Sequence, residues 1–372
     1  MSENKRAFNE DLLTKAFEER VEYFEDRTLL HDKLIETLNY LERAIMWGAG
    51  YNIILVVGPS GVGKSKLYNM IYKSILEKMK DEMEVDKSLI PIVRTELPNP
   101  DLGKFNWKDF YSRILTSINE PLINKKYNVD HLINQSDKRK TNTSGTGQEL
   151  RRSIEKAVYH RGTKAILIDE AQHFFNVGSG KAVTSQFNSL KSLANMSGAK
   201  IVMFGTYDLT SVINLDGQLS RRVKELHFPR YLYQEKKDFI DFQSLLYSFQ
   251  KVVPIEEEPD FVSKTEYMYD HSLGCAGILK DWIQRSYLDA LTNNEKTINF
   301  SHLDNNKLKT DKLIRLSNEA ISGERHLNNN ESDLERLKSL LGTNSKVKKE
   351  NNEGRRKNTQ PGKRKPSRDV VN

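Results

Sequence analysis

The chain has 372 residues, 37% of them apolar, enough for a full-sized core and consistent with two domains or one domain with appendages. No stretch approaches the run of about eighteen apolar residues that crosses a membrane, and the polar start Met1-Ser-Glu-Asn-Lys-Arg6 lacks an apolar signal core, so a cytoplasmic protein is expected; the single cysteine, Cys275, excludes an internal disulfide and a multi-cysteine zinc site. The net charge of +7 sits at one end: Lys346 to Arg368 holds ten basic and two acidic residues, +8, leaving about −1 for everything else.

In chain order, residues 1–30 read as a charged, partly helical lead-in, with Phe8, Leu12, Leu13, Phe17, Val21 and Phe24 at near-helical spacing. Leu34, Leu38, Leu41 and Ile45 predict a helix over 31–48, and the apolar run at 52–57 predicts a strand. Gly58-Pro59-Ser60-Gly61-Val62-Gly63-Lys64-Ser65 follows at once, matching G-x-x-x-x-G-K-[ST], and Leu67, Ile71 and Ile75 then mark a helix with one buried face. A glycine-rich turn between strand and helix lets backbone N–H groups close around a polyphosphate at a helix N-terminus. Lys64 is expected to reach the β- and γ-phosphates of ATP and Ser65 to ligate Mg2+.

Leu89-Ile-Pro-Ile-Val93 predicts a second strand, Trp107 to Ile118 a helix, and the Lys-, Asn-, Ser- and Gly-rich residues 124–147 an exposed insertion. Leu150, Ile154 and Val158 mark a helix leading to the strand Ala165–Ile168, which ends in Asp169-Glu170. Asp169 at the tip of a buried strand is placed to hold Mg2+ through water, and Glu170 to polarise the attacking water. With one strand–helix unit between the phosphate loop and Asp169, the order predicts a strand inserted between the two nucleotide-binding strands. A helix over 183–196 and the strand Lys200–Phe204 lead to Gly205-Thr206, where Thr206 is either a γ-phosphate sensor or an ordinary turn residue. A helix over 209–219 ends in Ser220-Arg221-Arg222, and one of the two arginines is read as a finger reaching a neighbouring subunit's nucleotide, against ordinary cationic capping of the helix end. The short strand 224–228 precedes a wholly helical pattern to about residue 292, read as a small lid, with a last short helix near Leu334 to Leu341. The basic end, almost without apolar residues, is expected to be disordered and reads as a nucleic-acid-seeking arm or a solubilising tail.

Together these strings resemble an AAA+ ATPase. More narrowly, Ile166-Leu-Ile-Asp-Glu-Ala-Gln-His173, Met203-Phe-Gly-Thr-Tyr-Asp-Leu209 and His271-Ser-Leu-Gly-Cys-Ala-Gly-Ile-Leu-Lys-Asp-Trp282 resemble the TnsC/TniB group of transposition regulators. The resemblance covers about residues 30–300. It implies an α/β fold, an AAA+ P-loop domain with a five-stranded parallel sheet flanked by helices, plus a small helical lid; the disordered basic tail follows from composition. Taken with the composition and periodicity, the expected domains are a lead-in at 1–30, the nucleotide-binding domain at 31–230 with the exposed insertion at 124–147, the lid at 231–304, a polar, partly helical segment at 305–345 and the tail at 346–372. It makes Lys64 and Ser65 Walker A, Asp169 and Glu170 Walker B, Thr206 the first sensor and Arg221 the finger. Where many lids carry arginine after the lid glycine this chain has Gly277-Ile278, which leaves Lys280 as the substitute contact to nucleotide. The resemblance further implies polymerisation as a ring or filament on double-stranded DNA, with Lys104, Arg151 and Arg152 in the regions that track it, and communication between target-selection proteins and a transposase. The rivals are a replication initiator or helicase loader and a nucleotide-gated signalling scaffold that does not touch DNA.

Overall fold

A computed structural model of the chain describes residues 6–48, 50–99, 105–121, 123, 146–175, 180–213, 223–327 and 331–343. Residues up to Leu327 form one compact unit and those from Asn328 a second.

The first unit begins with α1 (Phe17–Asp26) and α2 (Asp32–Trp47). Five strands follow: β1 (Ile53–Val57), β2 (Ile92–Glu96), β3 (Ala165–Asp169), β4 (Lys200–Gly205) and β5 (Val223–His227). They pair in parallel in the order β2-β3-β4-β1-β5. Parallel strands need crossover connections, and these are α3 (Lys64–Lys78) with α4 (Lys80–Val85), α5 (Trp107–Ser117) with α6 (Thr146–His160), α7 (Gly180–Ser197) and α8 (Asp208–Ile213). Helices on both faces explain why the central strands are nearly continuous apolar runs. Ile53, Leu55, Val57, Ile166, Ile168, Ile201 and Met203 face a core shared with α5, α6 and α7. Their alternates Ile54, Val56, Leu167, Val202 and Phe204 face α2 and α3.

One strand does separate β1 from β3, but it is β4; the intervening β2 goes to the edge. The phosphate loop, the Asp169-Glu170 tip and Thr206 therefore lie on three adjacent strand ends. β2 also starts three residues later than its apolar run predicts. Pro91 has no N–H for the ladder, so pairing begins at Ile92 and extends through Thr95 and Glu96, whose alternating exposure is that of an edge strand.

A third core is wholly helical, built from α9 (Lys236–Val252), α10 (Thr265–Ser272), α11 (Ala276–Thr292) and α12 (Phe300–Asn306), with Trp282, Phe242, Phe261 and Tyr287 fully buried. The lead-in packs here: Phe24 is buried in this cluster, Arg6 donates to the Val253 and Ile255 carbonyls at 2.8 and 2.9 Å, and Arg20 to the Pro254 carbonyl at 2.8 Å.

Beyond it lies α13 (Thr310–Leu327), an 18-residue helix that no apolar stripe announced. Its buried residues are only Leu313, Ala320 and Gly323, too few and too small for the 3.6-residue signal. The second unit contributes α14 (Glu331–Leu340), the short helix expected there, with Leu334, Leu337 and Leu340 exposed. Among the described residues no helix is long and apolar enough to cross a membrane.

Candidate nucleotide-binding site

β1 ends at Val57 and α3 starts at Lys64, with Gly61 and Gly63 at φ 77° and 112°. Such left-handed values let glycine turn the chain so that successive N–H groups point into the loop, at the positive end of α3. Lys64 Nζ donates to the Gly58 and Pro59 carbonyls at 2.9 Å each, so the ammonium lies inside its own loop. Burial pushes its pKa down, against the charges of Glu319, Glu170 and Asp169. A half-buried cation held by two backbone carbonyls attracts anionic oxygen.

Across the loop, Asp169 is 7% exposed and burial pushes its carboxyl above the usual range; bonds from the Glu170 amide, at 3.0 Å, and from the Ser65 hydroxyl oppose the shift. Glu170 has φ 52°, a conformation that costs a non-glycine residue about 1 kcal/mol or more and that the tight turn into the 3-10 segment Ala171–Phe174 imposes. Its carboxylate accepts a hydrogen bond from Gln172 Nε2. Gln172 Oε1 is buried without a partner and lies against Gly205. Thr206 sits on the same rim, its hydroxyl bonded to Asp208 at 3.3 Å.

These groups open into one cavity of about 540 Å³, whose lining includes Ser60 to Lys66, Glu170, Gln172 and Thr206. Its other end is apolar, with Leu34, Phe228, Leu245 and Phe249 as walls and His31 beside them. The His31 ring stacks on Phe228, with 6.4 Å between centroids, and its Nδ1 bonds the Tyr231 hydroxyl at 2.9 Å. Helix α11 closes the cavity from the helical side: the Ile278 amide donates to the Gly61 carbonyl at 3.0 Å. A polar, cation-bearing end joined to a flat apolar end of this size suits a nucleotide with its phosphates on the loop and its base between the walls.

Lys64, Ser65, Asp169, Glu170 and Thr206 are thus brought together. Lys280 reaches the cavity wall, but its Nζ donates to the Glu25 and Arg27 carbonyls at 2.5 and 2.9 Å, tying α11 to the end of α1. Arg151 is engaged within the fold, Nε with Glu155 at 3.1 Å and Nη2 with Ser192 at 2.6 Å, whereas Arg152 is exposed. Lys104, Arg221, Arg222 and the basic tail lie outside the described residues. Sequence reasoning passed over Gln172, although it stands inside the quoted Asp-Glu-Ala-Gln string. It also missed Glu319 and Arg230, which no motif marks.

A family model described as an AAA domain matches residues 49–213. No curated protein matches the chain. Among solved structures, the Aeropyrum pernix ORC1 protein in complex with DNA aligns with a TM-score of 0.50 at 13% identity, over 80% of this chain and 68% of that one. The Aeropyrum pernix ORC2 protein gives 0.49 at 12% identity over 79% and 73% of the two chains, and domain III of the Thermotoga maritima replication initiation protein DnaA gives 0.41 at 16% over 80% and 96%. At 13% identity the likeness to the ORC1 protein is one of fold.

Proposed function

With residues 49–213 identified as an AAA-type P-loop ATPase domain, we propose that the chain is an ATP-driven switch that assembles head to tail on double-stranded DNA and regulates transposition, linking target-selection proteins to a transposase. The observation that carries the reading is that the Lys64 loop, Glu170 and Thr206 line one cavity, with Asp169 hydrogen-bonded to Ser65 of that loop. In this reading Lys64 and the loop amides hold the phosphates, Glu170 accepts a proton from the attacking water, and Thr206 faces the γ-phosphate. The hydrogen-bonded pair Ser65 and Asp169 offers oxygen ligands of the kind magnesium takes, and magnesium bound there would neutralise charge on the phosphate oxygens.

Arg221 or Arg222 completes the site of a neighbouring copy, and such a heterologous contact generates rings or open helices. Hydrolysis removes the phosphate that the arginine holds and loosens the boundary. Support for the transposition role comes from the three strings at 166–173, 203–209 and 271–282. Support for DNA comes from the basic tail and from exposed Arg152; such contacts are to backbone phosphates and weaken steeply with salt. The fold likeness to an ORC1 protein that was solved with DNA favours a second reading, a replication initiator or helicase loader.

Imaging the full chain on duplex DNA with a non-hydrolysable ATP analogue, beside a chain ending at residue 340, tests the proposal. DNA-threaded rings or filaments with the analogue and none with ADP support it. No nucleotide-dependent DNA association in either form sinks it, and assembly around a helicase rather than a transposase moves the protein to the second reading.

A further inference from the structure

Helix α13 meets the phosphate loop at Ser60 and packs on two residues outside the cavity lining, Tyr207 and Arg230. Ser60, inside the loop, donates its hydroxyl to the Glu319 carboxylate at 3.0 and 3.3 Å. Gly323 presses on the ring of Tyr207, next to Thr206, so closely that a Cβ there would lie 2.0 Å from Cγ and Cδ2. Arg230 donates two bonds to Glu324, Nε at 2.8 Å and Nη2 at 3.1 Å, with both side chains largely buried. Residues 319 and 323, one turn apart, share one helix face, and 324 lies on the adjoining flank of the same helix.

Glu319 is the member that bears on chemistry. Burial pushes the Lys64 pKa down, and the charge of Glu319, with those of Glu170 and Asp169, opposes that shift. An anion therefore already sits at the loop. An α- and β-phosphate can lie in the loop beside it, but a γ-phosphate brings further negative charge towards the carboxylate on Ser60 and the ring of Tyr207. Like charges in a partly buried site repel by enough to shift an affinity about tenfold.

Building on the nucleotide reading of this cavity, we infer that Glu319 is a specificity-determining residue of the site, a resident anion that favours nucleoside diphosphate over triphosphate and that leaves Ser60, with α13, when a γ-phosphate enters. The release of α13 uncovers the ring of Tyr207, next to Thr206, and breaks the pair between Arg230 and Glu324. The same carboxylate thereby couples the identity of the bound nucleotide to the seating of α13 on the loop.

Titrating the full chain with ADP and with a non-hydrolysable ATP analogue, each with magnesium, tests this. Glu319→Gln keeps an acceptor for Ser60 and removes the charge; the preference for the analogue over ADP rises about tenfold or more, with ADP affinity held within about twofold. In the unaltered chain, amide hydrogen exchange over 313–325 is slow with ADP and fast with the analogue. An unchanged preference, weaker analogue binding in the variant, as for a carboxylate that ligates a cation, or equal protection with both nucleotides overturns the inference. If the unaltered chain binds neither nucleotide, the nucleotide reading itself falls and this inference falls with it.

Discussion

The Ile278 amide and the Gly61 carbonyl are 3.0 Å apart, so α11 begins on the phosphate loop itself. The approach depends on Gly277, where a Cβ would lie 2.4 Å from the Gly61 oxygen and 3.4 Å from the Gly63 nitrogen. Those neighbours are backbone atoms of a tight turn and have little room to give. Gly277→Ala is expected to separate helix and loop at a cost of about 1–3 kcal/mol. Fluorescent-nucleotide titration will show affinity lowered about tenfold or more, while the melting temperature falls by only a few degrees. Unchanged affinity would mean that the contact has no part in binding.

Gln172 holds the Glu170 carboxylate through its Nε2 while its own Oε1 lies buried and unpaired against Gly205. A glutamate on a left-handed turn residue relies on such a partner for its direction. Gln172→Ala is expected to lower kcat about tenfold and to leave KM within about twofold, since the proposed role of Glu170 in activating water depends on its direction and the phosphate loop is untouched. Steady-state kinetics reads the split; a change confined to KM would assign Gln172 to binding instead.

Lys280 gives its ammonium to two carbonyls at the end of α1, which argues for a strut and against a phosphate ligand. Lys280→Met should reduce unfolding free energy by about 1 kcal/mol in urea titration and change kcat less than about threefold. A loss of turnover of about a hundredfold would restore the sequence expectation of a nucleotide contact.

Burial pushes the His31 imidazole down to about 4 from its ordinary value near 6.5, with Asp32 opposing and Lys33 adding to the shift. The unfolded chain takes up this proton below about pH 6.5, while the folded chain resists until about pH 4. The contribution is therefore whole above pH 6.5, is lost as the pH falls from 6.5 towards 4, and levels off below; its upper bound is about 3 kcal/mol. Unfolding free energies of the unaltered chain and of His31→Gln, measured between pH 7 and 4, should converge by up to that amount. A pH-independent difference would contradict it.

The nucleotide end of this molecule was legible because its chemistry is local. A strand, eight loop residues and a helix make the phosphate loop within one stretch, and Asp169-Glu170 needs only a buried strand behind it. The strand neighbouring β1 on the Walker B side is another matter, since pairing of β4 between β1 and β3 is a property of the whole sheet. The β2 boundary was misplaced by apolar content, which does not register that Pro91 cannot join the ladder. Helix α13 was missed for a related reason. It packs through Gly323 and Ala320 and through the polar residues Glu319 and Glu324, so the signal of a buried apolar stripe is absent although the helix touches the loop.

The central claim, that one cavity binds and hydrolyses ATP through Lys64 and Glu170, is tested most directly by measuring nucleotide binding and phosphate release together for the full chain, Lys64→Ala and Glu170→Gln, with magnesium present. The expected result is hydrolysis by the unaltered chain, a loss of about a hundredfold or more in both variants, and retention of ATP binding in Glu170→Gln alone. Turnover that survives both substitutions, or an unaltered chain that binds no ATP, would contradict it.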